Sequence, residues 1–416
     1  MTPSHPKNII IVGGSLAGLM TGLALKRLGH HVRIFERSPT SLLQDQGAGI
    51  VFGSEAQEFF SRHVNVNRKF HVDSLLRQTL RRDGGVLNQD HRGQRMVSWD
   101  LLYFCLRACF DGVKSGYCEV PERQDGEGKA EYVYGRKVIN VKDLGQQVEV
   151  EYEEKDGGSG KESSEMVIAA DGPSSAVRRL LLPEVERQYV GYVAWRGTVV
   201  ESEASELLKE TFVDKFTFFH GSGIQILSYL IPGENGSLEP GKRLINWVWY
   251  CNYPSDSPEY KDLMTDSDGH FHHTTMPAGK IQDRLWTQQK QHAQDVLPEA
   301  FSDLVCATQL PFVQAITDVL SPQASFFDGK LLLVGDAVAG FRPHTAASTS
   351  QAAYHALLLE GKMKGEMTSE NMLDEMMDYA RHMVAAGQQM GNRSQFGDAG
   401  INLKEIATSG RIQIDK

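Results

Sequence analysis

The residues best placed to do chemistry lie at the start of the chain. Gly13, Gly14, Ser15, Leu16, Ala17 and Gly18 follow the apolar run Ile9 to Val12 and open a stretch, Leu16 to Leu28, whose apolar residues recur at helical spacing. Strand, glycine turn and helix in that order make an anion site, because free backbone N–H groups and the helix dipole attract a pyrophosphate. Glycine permits the tight turn and the close helix–strand approach. Ser15 takes the second glycine position of G-x-G-x-x-G, so its side chain must point away from the phosphate. His31 to Phe35 reads as the next strand, and Glu36 at its end stands about 20 residues past the turn, where a carboxylate accepts from a ribose. A glycine-rich turn alone can bind nothing; strand, helix, second strand and acid together predict a dinucleotide and leave NAD against FAD open.

These residues need a sheet to hold them, and the chain supplies further short apolar runs. Met166 to Ala170 ends in Asp171-Gly172, and Leu331 to Val334 ends in Gly335-Asp336. After Arg37 a loop leads through Gly47-Ala48-Gly49 into a helix; glycines there allow a flat ring to lie on backbone or mark an ordinary loop. Residues 70 to 97 read as a hairpin region turning at Asp83-Gly84-Gly85, and Ser98 as the N-cap of a helix running through Leu106. Alternating aromatic runs between residues 186 and 325 predict an antiparallel sheet, interrupted over 255 to 300 by polar loops and at least one helix. Ala337 to Thr349 reads as a loop, Gln351 to Lys364 as a helix, and Glu370 to about Gly387 as another.

Bulk properties exclude several classes. The net charge is -10 and no basic run interrupts it, which argues against a nucleic-acid surface. No apolar run reaches the roughly 18 residues of a membrane span, and MTPSHPKN passes straight into the first strand, leaving no room for a signal peptide. The five cysteines lack C-x-x-C spacing, which predicts reduced thiols in a cytoplasmic protein rather than a disulfide framework. His270, His272 and His273 with Asp266 and Asp268 lack the fixed spacing of a metal motif, so no metal is expected.

GGSLAG with Glu36, ADGPSSAVR, and LLLVGDAVAGFRPHTAASTSQAAYHAL together resemble the flavoprotein aromatic hydroxylases, the single-component FAD monooxygenases of the para-hydroxybenzoate hydroxylase type. GYVAWRGTV, NWVWY, SWDLLY and GDAVAGFRPHTAAS look like the 2,6-dihydroxypyridine 3-monooxygenase branch. The resemblance implies an α/β fold: a Rossmann-like FAD-binding domain from residues 1–75, 96–183 and 326–400, an inserted α+β substrate domain with an antiparallel sheet from 76–95 and 184–325, and a tail, 401–416. It implies FAD as cofactor, NADH or NADPH as co-substrate, a small aromatic substrate with O2, and a homodimer. Asp171 and Gly172 would lie near the pyrophosphate and the nicotinamide, and Gly335 and Asp336 near the ribityl chain. Pro343, Ala346, Ala347 and Ser348 would bring a helix N-terminus to the flavin pyrimidine edge, where negative charge develops on reduction. Arg37 and Gly49 complete the expected cofactor set. Two residues depart from the family pattern, Ser348 for a glycine and Ser98 for an arginine.

By that resemblance, oxygen adds at the flavin C4a and the hydroperoxide attacks an electron-rich phenolic or hydroxypyridine-type ring. A carboxylate on the attacked carbon would leave as carbon dioxide. For the base or hydroxyl anchor the candidates are His220, Tyr229 and His344. His220 can instead begin the turn before Gly221, and Tyr229 can be strand core. Arg196 and Arg342 can grip a carboxylate or phosphate, against a default of surface ion pairing. Trp195, Trp247 and Trp249 are expected to line the pocket, with Trp247 and Trp249 on one strand face and Val248 turned away. The competing classes are an FAD oxidase or dehydrogenase without oxygen insertion, and a non-catalytic FAD-binding protein.

Overall fold

Ile9 to Val12 are buried on both faces, so the strand has no polar side to show water and must be central in a parallel sheet. In the computed structural model, which describes residues 5–40 and 49–397, it is. The expected tail and the Gly47-Ala48 part of the glycine loop lie outside the described residues. The sheet runs Ser325–Phe326, Leu331–Leu333, Met166–Ala169, Asn8–Val12, His31–Glu36, Ala130–Tyr134, parallel throughout except for the first pair. The three runs that end in the fingerprint turn, Asp171 and Asp336 are therefore neighbours, and their carboxyl ends share one edge. Gly13 has φ +101°, and a Cβ on it would meet the Ala170 carbonyl oxygen at 2.4 Å. A Cβ on Gly18 would meet the Gly13 carbonyl oxygen at 2.0 Å, so the Leu16–Arg27 helix lies against its strand only because both positions are glycine.

The aromatic-rich segment forms a larger, mainly antiparallel sheet, ordered Thr275–Met276, Phe312–Leu320, Gln188–Val200, Leu244–Asn252, Ile224–Ile231, Lys215–Gly221, Leu76–Leu80, Val86–Asp90. The hairpin turning at residues 83–85 supplies its last two strands, with Leu76–Leu80 parallel to Lys215–Gly221. One face packs on the Asp283–Val296 and Glu299–Ala307 helices. That face carries the tryptophans. Trp195 stacks on Trp286 at 5.8 Å, Trp249 on His292 at 5.3 Å, and Trp247 Nε1 donates to Thr308 Oγ1 at 2.8 Å. The expectation that Trp195, Trp247 and Trp249 line a ligand pocket is corrected: they are helix-side core, and Arg196, Val248 and Tyr250 face the cavity. Alternation was right but the sense was inverted, because both faces of this sheet are buried.

The last helix also differs from expectation. Ser369–Phe396 runs well past Gly387. A Cβ on Gly387 would lie 3.3 Å from the Arg342 carbonyl oxygen, and one on Gly391 would meet the Tyr192 hydroxyl at 2.3 Å. These glycines admit close neighbours and do not end the helix. Ser98 occupies the N-cap position of the Trp99–Asp111 helix, but its side chain makes no capping bond. The five cysteines are free thiols. Among the described residues no helix is long and apolar enough to cross a membrane, and no group of His, Cys, Asp and Glu is placed to hold a metal.

Candidate active site

Between the two sheets lies a cavity of about 1080 Å³. Its nucleotide end is built by the parallel sheet. Ser15, Leu16, Ala17, Gly172, Asp336, Pro343, Ala346, Ala347 and Ser348 line it, whereas Gly13, Gly14, Gly18, Glu36, Asp171 and Gly335, also expected in the cofactor set, lie behind the lining. Two helix N-termini open here, at Leu16 and at Ser348, and neither has a side-chain cap. Their first N–H groups are donors without an intrahelical partner, the arrangement an anion completes.

Side chains fix the turn between them. Glu36 Oε2 accepts from the Gly14 N–H and Oε1 from the Ser38 N–H, both at 2.8 Å, which holds the carboxylate beside the turn. Tyr132 OH donates to the Gly14 carbonyl oxygen at 3.0 Å, and the Arg107 guanidinium lies 3.7 Å over the Tyr132 ring. Gly335, with φ +58°, donates its N–H to His355 Nδ1 at 3.0 Å, and burial drives that imidazole down to about 3, so it is a neutral acceptor. Sequence reasoning missed Tyr132 and His355. Arg37 is exposed at the end of its strand and does not line the cavity.

Burial raises the carboxyl pKa of both aspartates. Asp336 Oδ1 accepts from Ser348 Oγ at 2.8 Å, so the serine that replaces a glycine ties the strand end to the helix. Asp171 Oδ2 accepts from the Val177 N–H at 3.1 Å, while its Oδ1 is buried without a partner. FAD fits this end: two uncapped helix N-termini stand ready for the pyrophosphate and the reduced ring, and the Glu36 carboxylate is held beside the first of them.

The ring end belongs to the larger sheet. Phe216, Phe218, Leu227, Val248 and Tyr250 give it apolar walls. His220, Tyr229, His344 and Arg196 all reach the same cavity. A Cβ on Gly49 would meet Tyr229 Cε2 at 2.3 Å, so that glycine is demanded by the protein's own tyrosine. Burial pushes the Tyr229 phenol up to about 12, opposed by the nearby Arg196 charge and the Asn246 amide. His344 lies on the face of Tyr250 at 4.3 Å, and its Nε2 is 3.0 Å from the Tyr192 hydroxyl. Burial first, then the Arg342 charge, lowers its pKa to about 3. His220 sits exposed at the rim, parallel to Phe218, and its cation is disfavoured by desolvation, Arg77 and Arg393. Arg342 is not a ligand group: it pairs with Asp318 at 3.0 Å and donates to Asn392 Oδ1 at 2.6 Å.

The profile of the FAD binding domain-like family matches residues 189–318, which run along the larger sheet. Over 367 residues the chain is 29% identical to the 2,6-dihydroxypyridine 3-monooxygenase of Paenarthrobacter nicotinovorans, covering 86% of this chain and 83% of that one. It is 24% identical over 401 residues to the salicylate hydroxylase of Pseudomonas putida, covering 88% of this chain and 80% of the relative. The structure of 2,6-dihydroxypyridine-3-hydroxylase from Arthrobacter nicotinovorans superimposes with a TM-score of 0.81 at 26% identity, covering 99% of this chain and 98% of that chain. A substrate complex of salicylate hydroxylase shares the fold, with a TM-score of 0.64 at 19% identity over 97% of this chain and 93% of the other. A likeness that extends from the fingerprint turn to the long last helix makes the protein a homologue of the FAD-dependent aromatic-ring monooxygenases, built on their para-hydroxybenzoate hydroxylase-like fold.

Proposed function

We propose that the protein is a single-component FAD monooxygenase that uses NADH or NADPH and O2 to hydroxylate an electron-rich aromatic ring. One observation carries this reading: a single cavity joins two uncapped helix N-termini at one end to Tyr229, His344 and Arg196 at the other. Bound FAD, reduced by the nicotinamide donor, supplies the reaction with O2 and the electrophilic oxygen. The chain supplies binding, orientation and dryness. The Leu16 and Ser348 helix ends hold the anionic groups, and Glu36 holds a ribose. The walls of Phe216, Phe218, Leu227 and Val248 exclude water and keep the ring close.

Attack requires an electron-rich ring, so the ring hydroxyl must ionise. Arg196 favours the oxyanion by charge, and its buried Nε has no protein partner. Tyr229, kept protonated by burial, donates to the ring oxygen. In the tautomer that donates Nε2–H to the Tyr192 oxygen, His344 keeps a lone pair on Nδ1 to accept the ring proton. A ring oxyanion beside it raises its proton affinity. The same reading includes the expected division into a nucleotide domain and an inserted substrate domain, a cytoplasmic location and a homodimer. Free thiols at all five cysteines support the location.

The test is to purify the FAD-loaded protein and screen phenols, hydroxybenzoates and hydroxypyridines for stimulated NAD(P)H oxidation, with product mass. A gain of one oxygen supports simple hydroxylation, and a gain accompanied by carbon dioxide supports the decarboxylative form. Stoichiometric peroxide without oxygenated product would identify an oxidase, and FAD binding without stimulated oxidation a non-catalytic flavoprotein.

A further inference from the structure

Two free thiols, Cys105 and Cys118, belong to segments that the fold lays side by side, away from the cavity. Cys105 is fully buried on the Trp99–Asp111 helix, one turn along from Leu101 on the same face. Gly112 ends that helix with φ +76°, a left-handed turn that sends the chain back along it. On the return, the Tyr117 ring stacks on Phe104 at 4.5 Å and 12°, which brings Cys118 beside Cys105. Cys118 is half-buried against the core cluster that contains Cys105, and the two thiols are in hydrogen-bond contact.

The return segment is also held from its other side. The Arg68 guanidinium donates to the Tyr117 and Gly236 carbonyl oxygens, and to that of Asn235 at 3.2 Å. A Cβ on Gly116 would meet Asn235 Oδ1 at 2.3 Å, and one on Gly236 would meet Leu101 Cδ1 at 2.8 Å, so loop, return segment and helix face form one packed layer. That packing gives the two thiols unequal chemistry. The hydrogen bond from Cys105 lowers the Cys118 pKa against the effect of burial, with the Arg68 charge assisting. The same bond, joined by burial, raises that of Cys105. A half-exposed thiolate beside a buried, protonated thiol is the arrangement of an attacking and a resolving cysteine. Cys109, a turn further along the helix, donates instead to Asn65 Oδ1 at 3.6 Å, and burial pushes its thiol up to about 11.

We propose that Cys105 and Cys118 are a modification site, a dithiol that hydrogen peroxide converts to a reversible disulfide. The Cys118 thiolate attacks one peroxide oxygen, the O–O bond breaks, and Cys118 sulfenic acid and hydroxide form. The Cys105 sulfur then bonds to the Cys118 sulfur and displaces the sulfenic oxygen, which leaves as water with the Cys105 proton. The pair loses two electrons, and the peroxide ends as one water and one hydroxide. The monooxygenase reading enters only as a source of peroxide, from reduced flavin that meets O2 without oxygenating a ring. The test supplies peroxide from outside, so failure of that reading leaves its outcome unchanged. FAD-loaded, full-length protein is reduced, exposed to hydrogen peroxide, alkylated, and mapped by mass spectrometry without further reduction. The expected product is a Cys105–Cys118 crosslink that dithiothreitol reverses, formed about tenfold faster than oxidation of Cys306, a half-buried thiol whose pKa burial raises. In Cys105→Ala the crosslink is lost and dimedone traps the Cys118 sulfenic acid. Arg68→Gln slows crosslinking by about threefold, and Arg68→Lys recovers part of the loss. If Cys105→Ala does not fold, the wild-type map decides alone. A map in which Cys118 pairs with another cysteine, passes to sulfinic acid without a crosslink, or reacts no faster than Cys306 overturns the proposal.

Discussion

In the proposed reaction His344 and Tyr229 act on one ring oxygen from different protonation states, and burial sets both. His344, held near 3, is neutral across the working range, while Tyr229, near 12, stays a donor. His344→Gln keeps FAD bound but lowers hydroxylation kcat by about 100-fold, as expected of a lost proton acceptor. Tyr192→Phe loses the 3.0 Å contact that selects the tautomer, and rapid-reaction kinetics across pH would show substrate ionisation slowed with FAD affinity intact. An acid limb near 6.5 in kcat/KM that disappears in His344→Gln would refute the buried neutral histidine. His344 was legible because it stands in a phrase, RPHTAAS, that carries a resemblance. Tyr192 and Tyr132 were not: they meet their partners across 152 and 118 residues, and no local spacing rule reaches that far.

At the scale of elements, the strand Leu244–Asn252 separates stability from recognition residue by residue. Trp249→Ala opens the helix-side core and costs about 3–5 kcal/mol, read as a fall in Tm with substrate KM unchanged in the folded fraction. Val248→Phe narrows the cavity wall and raises substrate KM with a smaller change in Tm; the reverse pattern would restore the inverted face. Strand alternation was legible here, but which face held the ligand was not, because a sheet covered on both sides is apolar on both sides. The last helix teaches a similar lesson. Glycine to alanine in a helix interior ordinarily stabilises by about 1 kcal/mol. Gly391→Ala is expected to do the opposite, because its methyl would meet the Tyr192 hydroxyl at 2.3 Å and Arg342 Cδ at 2.9 Å. A lower Tm together with a lower kcat would confirm that this helix braces the Tyr192–His344 pair, and a Tm raised by Gly391→Ala would show that it does not.

For the whole molecule, buried titratable groups make stability depend on pH in a direction that can be worked out. His355, fully buried, accepts from Gly335 only while neutral, and its folded pKa of about 3 lies below the ordinary 6.5. The unfolded chain therefore takes up the proton first as pH falls. Stability from this group is present above about 6.5 and is lost toward 3, by about 2 kcal/mol at pH 5. His344, shifted the same way, adds to the loss. Asp171 and Asp336 oppose it, because burial raises their folded pKa and the folded state gains protons before the unfolded chain does. The bare pH profile thus mixes opposed contributions, and a single substitution separates them. His355→Gln keeps an acceptor for the Gly335 N–H but cannot titrate, so its Tm should fall less between pH 7 and pH 5 than that of the parent. FAD binds only the folded chain and raises Tm for both proteins at either pH. Since the Gly335 turn carries Asp336 to the cofactor cavity, the FAD-induced rise should shrink at pH 5 in the parent more than in His355→Gln. Equal shrinkage in the two would mean that the imidazole supports the fold without holding the turn.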